Sequence, residues 1–307
     1  MRHYLYIFIC LTILVSCNKD EEIVVEGPGE ELPGDTIATD AYTVMEYLPA
    51  PGQFINEKAS GFDGVVTMEE ACRYAKRRLD NNEFVSLGAW GGYITFRFAE
   101  PIANTGGYDF SIAGNAFEKS SEPGIVWVME DSNGNGLPDD RWYELRGSYY
   151  GQPGFETDYS VTYYRPGNAR GAVKWKDSNG DEGKIEWLSY HSQDSYYPEW
   201  VAEDSYTLSG SRLPAQTERN SETGEWTNRP FKWGYADNYG EDSAMVQING
   251  KTVQMNYFRI TDAVDANGHS VNLSAVDFIK VQTAVNGMAE VIGENSTEVC
   301  GIWKFKK

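Results

Sequence analysis

The sequence predicts a mainly β fold, a β-sandwich or jelly-roll-like body with one short helix near the N-terminus. Three observations predict it. Short apolar or alternating runs recur from Phe84 to the C-terminus, and Asn-Gly turns separate several of them. The chain also holds 20 Tyr, 9 Trp and 31 Gly, a composition that suits pleated surfaces and tight turns. The helix is expected over Met68 to Leu79. Thr67 and Glu70 have capping-box spacing, and Met68, Ala71, Cys72, Ala75 and Leu79 make a 3.6-period stripe. Arg73, Lys76, Arg77 and Arg78 fall on its solvated face, and Asp80-Asn81-Asn82 ends it.

Strands are expected at Tyr93–Phe98, Gly124–Met129, Ser160–Tyr164, Ala172–Trp175 and Lys184–Trp187. Met245–Ile248, Tyr257–Ile260, Val276–Val281 and Gly301–Phe305 continue the series. Many short strands with one helix point to two packed sheets, and residues 41–307 read as a single domain with long aromatic loops.

The N-terminus reads as a targeting segment. Arg2 precedes the apolar run Tyr4 to Val15, which is far short of the roughly 20 residues of a membrane-spanning helix. The run ends in Leu14-Val15-Ser16-Cys17, which resembles a bacterial lipobox. Residues 1–16 are therefore expected to be a lipoprotein signal peptide and Cys17 the lipidated residue. Residues 17–40 are acidic and rich in Pro and Gly, with too little apolar surface to pack, and read as a flexible tether. Asn18-Lys19-Asp20-Glu21-Glu22 resembles the surface-export signal of some Gram-negative lipoproteins. The expected location is the outer membrane, lipid-anchored and facing outwards, with membrane contact only through the anchor.

The net charge is -20, and loss of residues 1–16 makes it one unit more negative by removing Arg2. Such a field repels nucleic acid and favours divalent cations or neutral ligands. Cys72 and Cys300 remain after processing, either as a disulfide or as two buried thiols.

The sharpest motif is Asp131-Ser132-Asn133-Gly134-Asn135-Gly136-Leu137-Pro138-Asp139-Asp140. Oxygen side chains stand at positions 1, 3, 5 and 9, Gly at 6, and the Leu137 carbonyl can serve position 7. That spacing wraps hard oxygens round Ca2+. Position 12 is Trp142 rather than Glu, so the expected site is Asp131, Asn133, Asn135, Leu137, Asp139 and Asp140, with Glu144 as a further candidate. The alternative is a polar hairpin turn without metal. Asp177 to Gly183 reads as a hairpin loop, and Asp237 to Asp242 and Asp262 to Asn267 are weaker oxygen clusters.

Catalytic patterns are sparse. The histidines after the signal are His191 and His269, and no zinc motif, nucleophile elbow, Walker loop or dinucleotide fingerprint occurs. A carboxylate pair for glycoside hydrolysis remains open among 46 acidic residues. Two aromatic loops, His191 to Trp200 and Phe231 to Tyr239, offer Tyr196, Tyr197, Trp200, Trp233, Tyr235 and Tyr239 as ligand-stacking rings or as cover for sheet ends.

The segments Gly114-Asn115-Ala116-Phe117, Glu122 to Met129, the oxygen-rich loop with Trp142-Tyr143-Glu144-Leu145, Tyr196-Tyr197-Pro198, Trp233-Gly234-Tyr235, Val276 to Thr283 and Gly293 to Val299 occur in that order. Together they resemble a family of cell-surface lipoproteins of gut Gram-negative anaerobes, often with PKD-like domains and found near TonB-dependent transporters. The resemblance spans most of residues 42–307 and implies capture of a nutrient, a glycan or a corrinoid, for such a transporter. It carries no catalytic residues. Three functions are thus expected in order: a non-catalytic surface binding protein, a glycan hydrolase or lyase on the same scaffold, and a structural or adhesive surface module.

Overall fold

The strands Tyr93–Ala103 and Ala275–Thr283 pair antiparallel at the middle of a six-stranded sheet. In the computed structural model, which describes residues 37–38, 41–248, 250–289 and 292–305, that sheet runs in the order Ala263–Val264, Tyr143–Leu145, Gly124–Met129, Ala275–Thr283, Tyr93–Ala103, Tyr42–Leu48. Val276, Phe278, Ile279, Val281 and Thr283 are all fully buried, so the central strand is covered on both faces. That explains its near-continuous rather than alternating apolar pattern.

A five-stranded antiparallel sheet has the order Ile37–Ala38, Gly301–Phe305, Phe110–Gly114, Lys251–Phe258, Ser243–Ile248. One row crosses it at a single level: Ala38 opposite Lys304, Lys304 opposite Phe110, Phe110 opposite Phe258. The Phe110 and Phe258 rings stack 5.3 Å apart. The two-residue connection between Ile248 and Lys251 is the expected Asn-Gly hairpin, with Gly250 at φ 77°. A four-stranded sheet, Glu182–Ile185, Val173–Asp177, Glu156–Tyr164, Ser205–Arg212, holds the second such hairpin at Asn179-Gly180. Gln282 ties this sheet to the six-stranded one by donating to the carbonyls of Gly91 and Ser209. Phe110 and Ile112, Val126 and Ile279, Val161 and Tyr163 share one continuous core, so all three sheets fold round the same apolar centre.

The helix runs Met68–Asp80, with both halves of the Thr67/Glu70 capping box made. Its buried face is Ala71, Tyr74, Ala75 and Leu79, packed on the Tyr42–Leu48 strand. Met68, expected in the stripe, is exposed, and Tyr74 takes its place beneath Tyr47 and Phe62. The basic face is occupied by ion pairs, Arg73 with Glu69, Arg77 with Asp63 and Arg78 with Glu83. Cys72 and Cys300 are both free thiols. Burial raises the Cys72 thiol to about 11 and pushes Cys300 higher still.

The signal segment, Cys17 and nearly all of the expected tether lie outside the described residues. Ile37–Ala38 correct the tether's boundary, since they pair with Phe305 and Lys304 as an edge strand. Among the described residues no helix is long and apolar enough to cross a membrane.

Candidate functional site

A cleft of about 370 Å³ opens between the end of the Lys251–Phe258 strand, the segment after Tyr143–Leu145 and the turn at Trp233. Tyr108, Tyr257 and Trp233 give it aromatic walls, and Arg146, Arg259 and Asp262 give it polar ones. Local backbone economy makes this shape. Gly234 sits at φ 90°, and a Cβ there would lie 2.4 Å from the Gly147 Cα, so two chains cross with no room for side chains. Ser148 N–H donates to the Trp233 carbonyl and Trp233 N–H to the Ser148 hydroxyl, which fixes the indole's base without using its ring. Arg259 lies 4.3 Å from the Tyr108 ring centroid.

Asp242 forms the floor. Its carboxylate accepts from Gly234 N–H at 2.7 Å and from the Asn256 amide at 3.5 Å. Burial pushes it up to about 7, against the pull of those donors. Burial raises Asp262 too, while Arg259 and Arg146 hold it down. The cleft therefore offers cationic donors, carboxyl acceptors and flat apolar faces together. With its oxygens turned to the protein's own donors, Asp242 is anchored as a structural acceptor.

Of the six rings proposed for ligand contact, the structure turns four inwards. Tyr196, Tyr197, Trp200 and Tyr235 are buried, and each polar tip finds a backbone partner. Tyr197 donates to the Glu203 carbonyl, Trp200 to the Tyr47 carbonyl, and the hydroxyls of Tyr196 and Tyr235 accept from Leu188 and Tyr149 N–H. These rings are core, because a satisfied hydroxyl or indole N–H removes the cost of burying a large ring. Trp233 stays half-buried on the cleft, and Tyr239 is 39% exposed and not among the residues that line it. His191 gives no triad: its ring nitrogens face Glu57 at 2.5 Å and Gln53 at 3.1 Å.

The loop Asp131–Asp140 joins two neighbouring strands of the six-stranded sheet. Asp131 N–H donates to Asp277 on the central strand. One Asp131 oxygen, Oδ2, accepts from Gly136 N–H at 2.9 Å, closing the loop from position 1 to position 6. The other, Oδ1, is buried and has no hydrogen-bond partner, and the side chain is 9% exposed. Asn135 N–H and Leu137 N–H bond to the Asn133 and Asn135 side-chain oxygens. Asp139 receives amide N–H from both Asn133 and Asn135, so positive dipole ends gather on its carboxylate. Asp140 bonds to Asn133 N–H. Asp131 Oδ1 is thus the loop oxygen left open to a hard cation such as Ca2+, while Oδ2 also faces the Arg97 guanidinium at 3.7 Å. Glu144 is not part of this set. It is buried and accepts from the Ser211 hydroxyl at 2.5 Å, with burial raising it to about 7. The Asp177 loop is a hairpin turn whose carboxylate is filled by Asn179 N–H, Asp181 N–H and the Tyr159 hydroxyl.

Nothing in the sequence groups Glu122, Asp237 and Glu298, yet the fold brings one oxygen of each within 4.8 Å of the others. The dense polar run Glu294-Asn295-Ser296-Thr297-Glu298 has the look of a surface loop but is buried throughout. That burial is the missing signal, and only the tertiary fold supplies it. Compared with known proteins, the chain matches no family model and no curated protein.

Proposed function

We propose that the chain is a non-catalytic binding protein, held at the outer surface of a Gram-negative outer membrane by a lipidated Cys17. Its six- and five-stranded sheets act as the two layers of a β-sandwich that presents the cleft. The cleft takes a saccharide nutrient, and Ca2+ held by Asp131, Asn133, Asn135, Asp139 and the Leu137 carbonyl stiffens one loop of the scaffold. Delivery to a TonB-dependent transporter follows from the resemblance of the motifs alone.

The observation that carries the reading is the cleft itself. Aromatic faces beside Arg and carboxyl groups match sugar rings, which are apolar on their faces and ringed by hydroxyls. Ligand pockets span roughly 300–1,000 Å³, and this one lies at the small end, which favours one or two sugar rings over a corrinoid macrocycle. Capture rather than cleavage is favoured because the oxygens of Asp242 already serve Gly234 and Asn256.

Calorimetric titration of the purified protein with a panel of saccharides and with cobalamin tests this. A saccharide is expected to bind, and Trp233→Ala or Arg146→Ala is expected to weaken it by about tenfold or more. The fold should survive Trp233→Ala, since the links to Ser148 are through the Trp233 backbone. Cobalamin binding alone, or release of shortened products from a polysaccharide, would replace the reading. Saccharide binding indifferent to both substitutions would move the site elsewhere.

A further inference from the structure

Glu122 precedes the Gly124–Met129 strand, Asp237 lies within the aromatic Phe231 loop and Glu298 pairs with Ser86 of the Val85–Ser86 strand. The backbone holds all three in place. Asp237 sits at φ 51°, accepting from Asn115 N–H at 2.8 Å and Glu298 N–H at 2.9 Å. A Cβ on Gly114 would lie 2.5 Å from Asp237 Oδ1, so that approach requires glycine. Glu298 accepts from the Ser296 hydroxyl at 3.2 Å, and Glu122 from Ser296 N–H at 3.3 Å. Among the described residues, no Lys, Arg or His forms an ion pair with any of the three. Burial and the neighbouring carboxyls push Glu122 up to about 8, and burial pushes Asp237 up to about 7.

A second observation points to a ligand. Glu122 also lines a small cavity of about 10 Å³, together with Glu294 and Asn295. Glu294 is 2% exposed and Asn295 6% exposed, yet Glu294 Oε2 and Asn295 Oδ1 have no partner. Protons shared between Glu122 and Glu298 would ease their repulsion but leave those two oxygens bare. The cavity has room for one water or one ion. A water would serve two acceptors without compensating the carboxylate charge; a divalent cation does both. The groups gathered here are all carboxylate or amide oxygens, a hard donor set of the kind Ca2+ takes.

We propose that Glu122, Asp237 and Glu298 form a buried divalent-cation site that takes Ca2+, separate from the Asp131 loop, with Glu294 and Asn295 lining the small cavity on which Glu122 also opens. The cation pins three distant segments at one point inside the fold. It does not depend on ligand capture in the cleft.

Metal content after dialysis against Ca2+, with Ca2+-dependent melting at about pH 8, tests it on the purified protein. The variants are Glu298→Gln, Glu122→Gln and Asp131→Ala. Asp131→Ala should still bind Ca2+ and still melt higher in its presence, while Glu298→Gln and Glu122→Gln should each lose one bound ion. Both Gln variants keep the side-chain volume and remove a buried charge, so they should fold without metal. If Asp131→Ala abolishes all Ca2+ binding, or both Gln variants keep the full metal content, the cavity belongs to water and the proposal is overturned. If the wild type binds one ion that Glu298→Gln removes, the loop site fails and this one stands.

Discussion

Glu144 offers the cleanest measure of how the fold treats a buried acid. It lies opposite Trp127 in the six-stranded sheet, 5% exposed, with one hydrogen bond from Ser211. Burial raises it from an ordinary 4.5 to about 7. At about 1.4 kcal/mol for each tenfold change in proton affinity, that corresponds to roughly 3 kcal/mol. The folded protein holds the proton more tightly than the unfolded chain, so its stability falls as pH rises from about 4.5 to about 7 and levels off above. Glu144→Gln keeps the shape, keeps an acceptor for Ser211 and does not titrate. It should match the wild type near pH 4 and exceed it by roughly 3 kcal/mol near pH 8, or about 6–12 °C in melting temperature for a body of this size. Urea unfolding of both proteins at several pH values reads the difference directly, because the other titrating groups are common to both. A difference that stays constant between pH 5 and pH 8 would show that Glu144 is already ionised in the fold.

Three further outcomes follow from particular side chains. Asp131→Ala should lower the melting temperature in Ca2+ and shrink the drop that EDTA causes, and an EDTA effect equal to that of the wild type would rule out metal in the loop. Tyr197→Ala should cost about 3–5 kcal/mol in chemical denaturation, as for other large core rings, while saccharide affinity per folded molecule stays unchanged; selective loss of affinity would return Tyr197 to the binding surface. Cys72 and Cys300 should both react with an alkylating agent in denaturant without reductant, which intact mass reads as two added groups, and a chain that resists labelling until reduced would be disulfide-linked.

Much of the fold was legible because it rests on local patterns. The Thr67/Glu70 box marked the helix, alternation over Ser160–Tyr164 marked the strand Glu156–Tyr164, and Asn179-Gly180 marked a hairpin. The strands Phe110–Gly114 and Ser205–Arg212 were not legible. Ser, Gly and Ala fill them, and their place depends on partners far along the chain. The aromatic loops misled for a related reason. A Tyr or Trp reads alike whether its tip meets water or a buried carbonyl, and for Tyr197 and Trp200 that partner is set by tertiary packing. Only Trp233 of the six rings reaches the cleft, whose other walls come from Tyr108, Arg146, Tyr257 and Arg259 on separate segments. The Glu122, Asp237 and Glu298 oxygens converge from three separate stretches, where no spacing rule applies.

The row that crosses the five-stranded sheet has a mechanical consequence. Drag on the chain ahead of Ile37 first meets two residue pairs, Ile37 with Phe305 and Ala38 with Lys304. From Lys304 the load passes through Phe110 to Phe258, a wall of the cleft, three strand spacings or roughly 14 Å from Ala38. A pull on the chain ahead of Ile37 would therefore reach the Phe258 wall of the cleft along this row, while the short link to Tyr42–Leu48 would carry the rest into the six-stranded sheet.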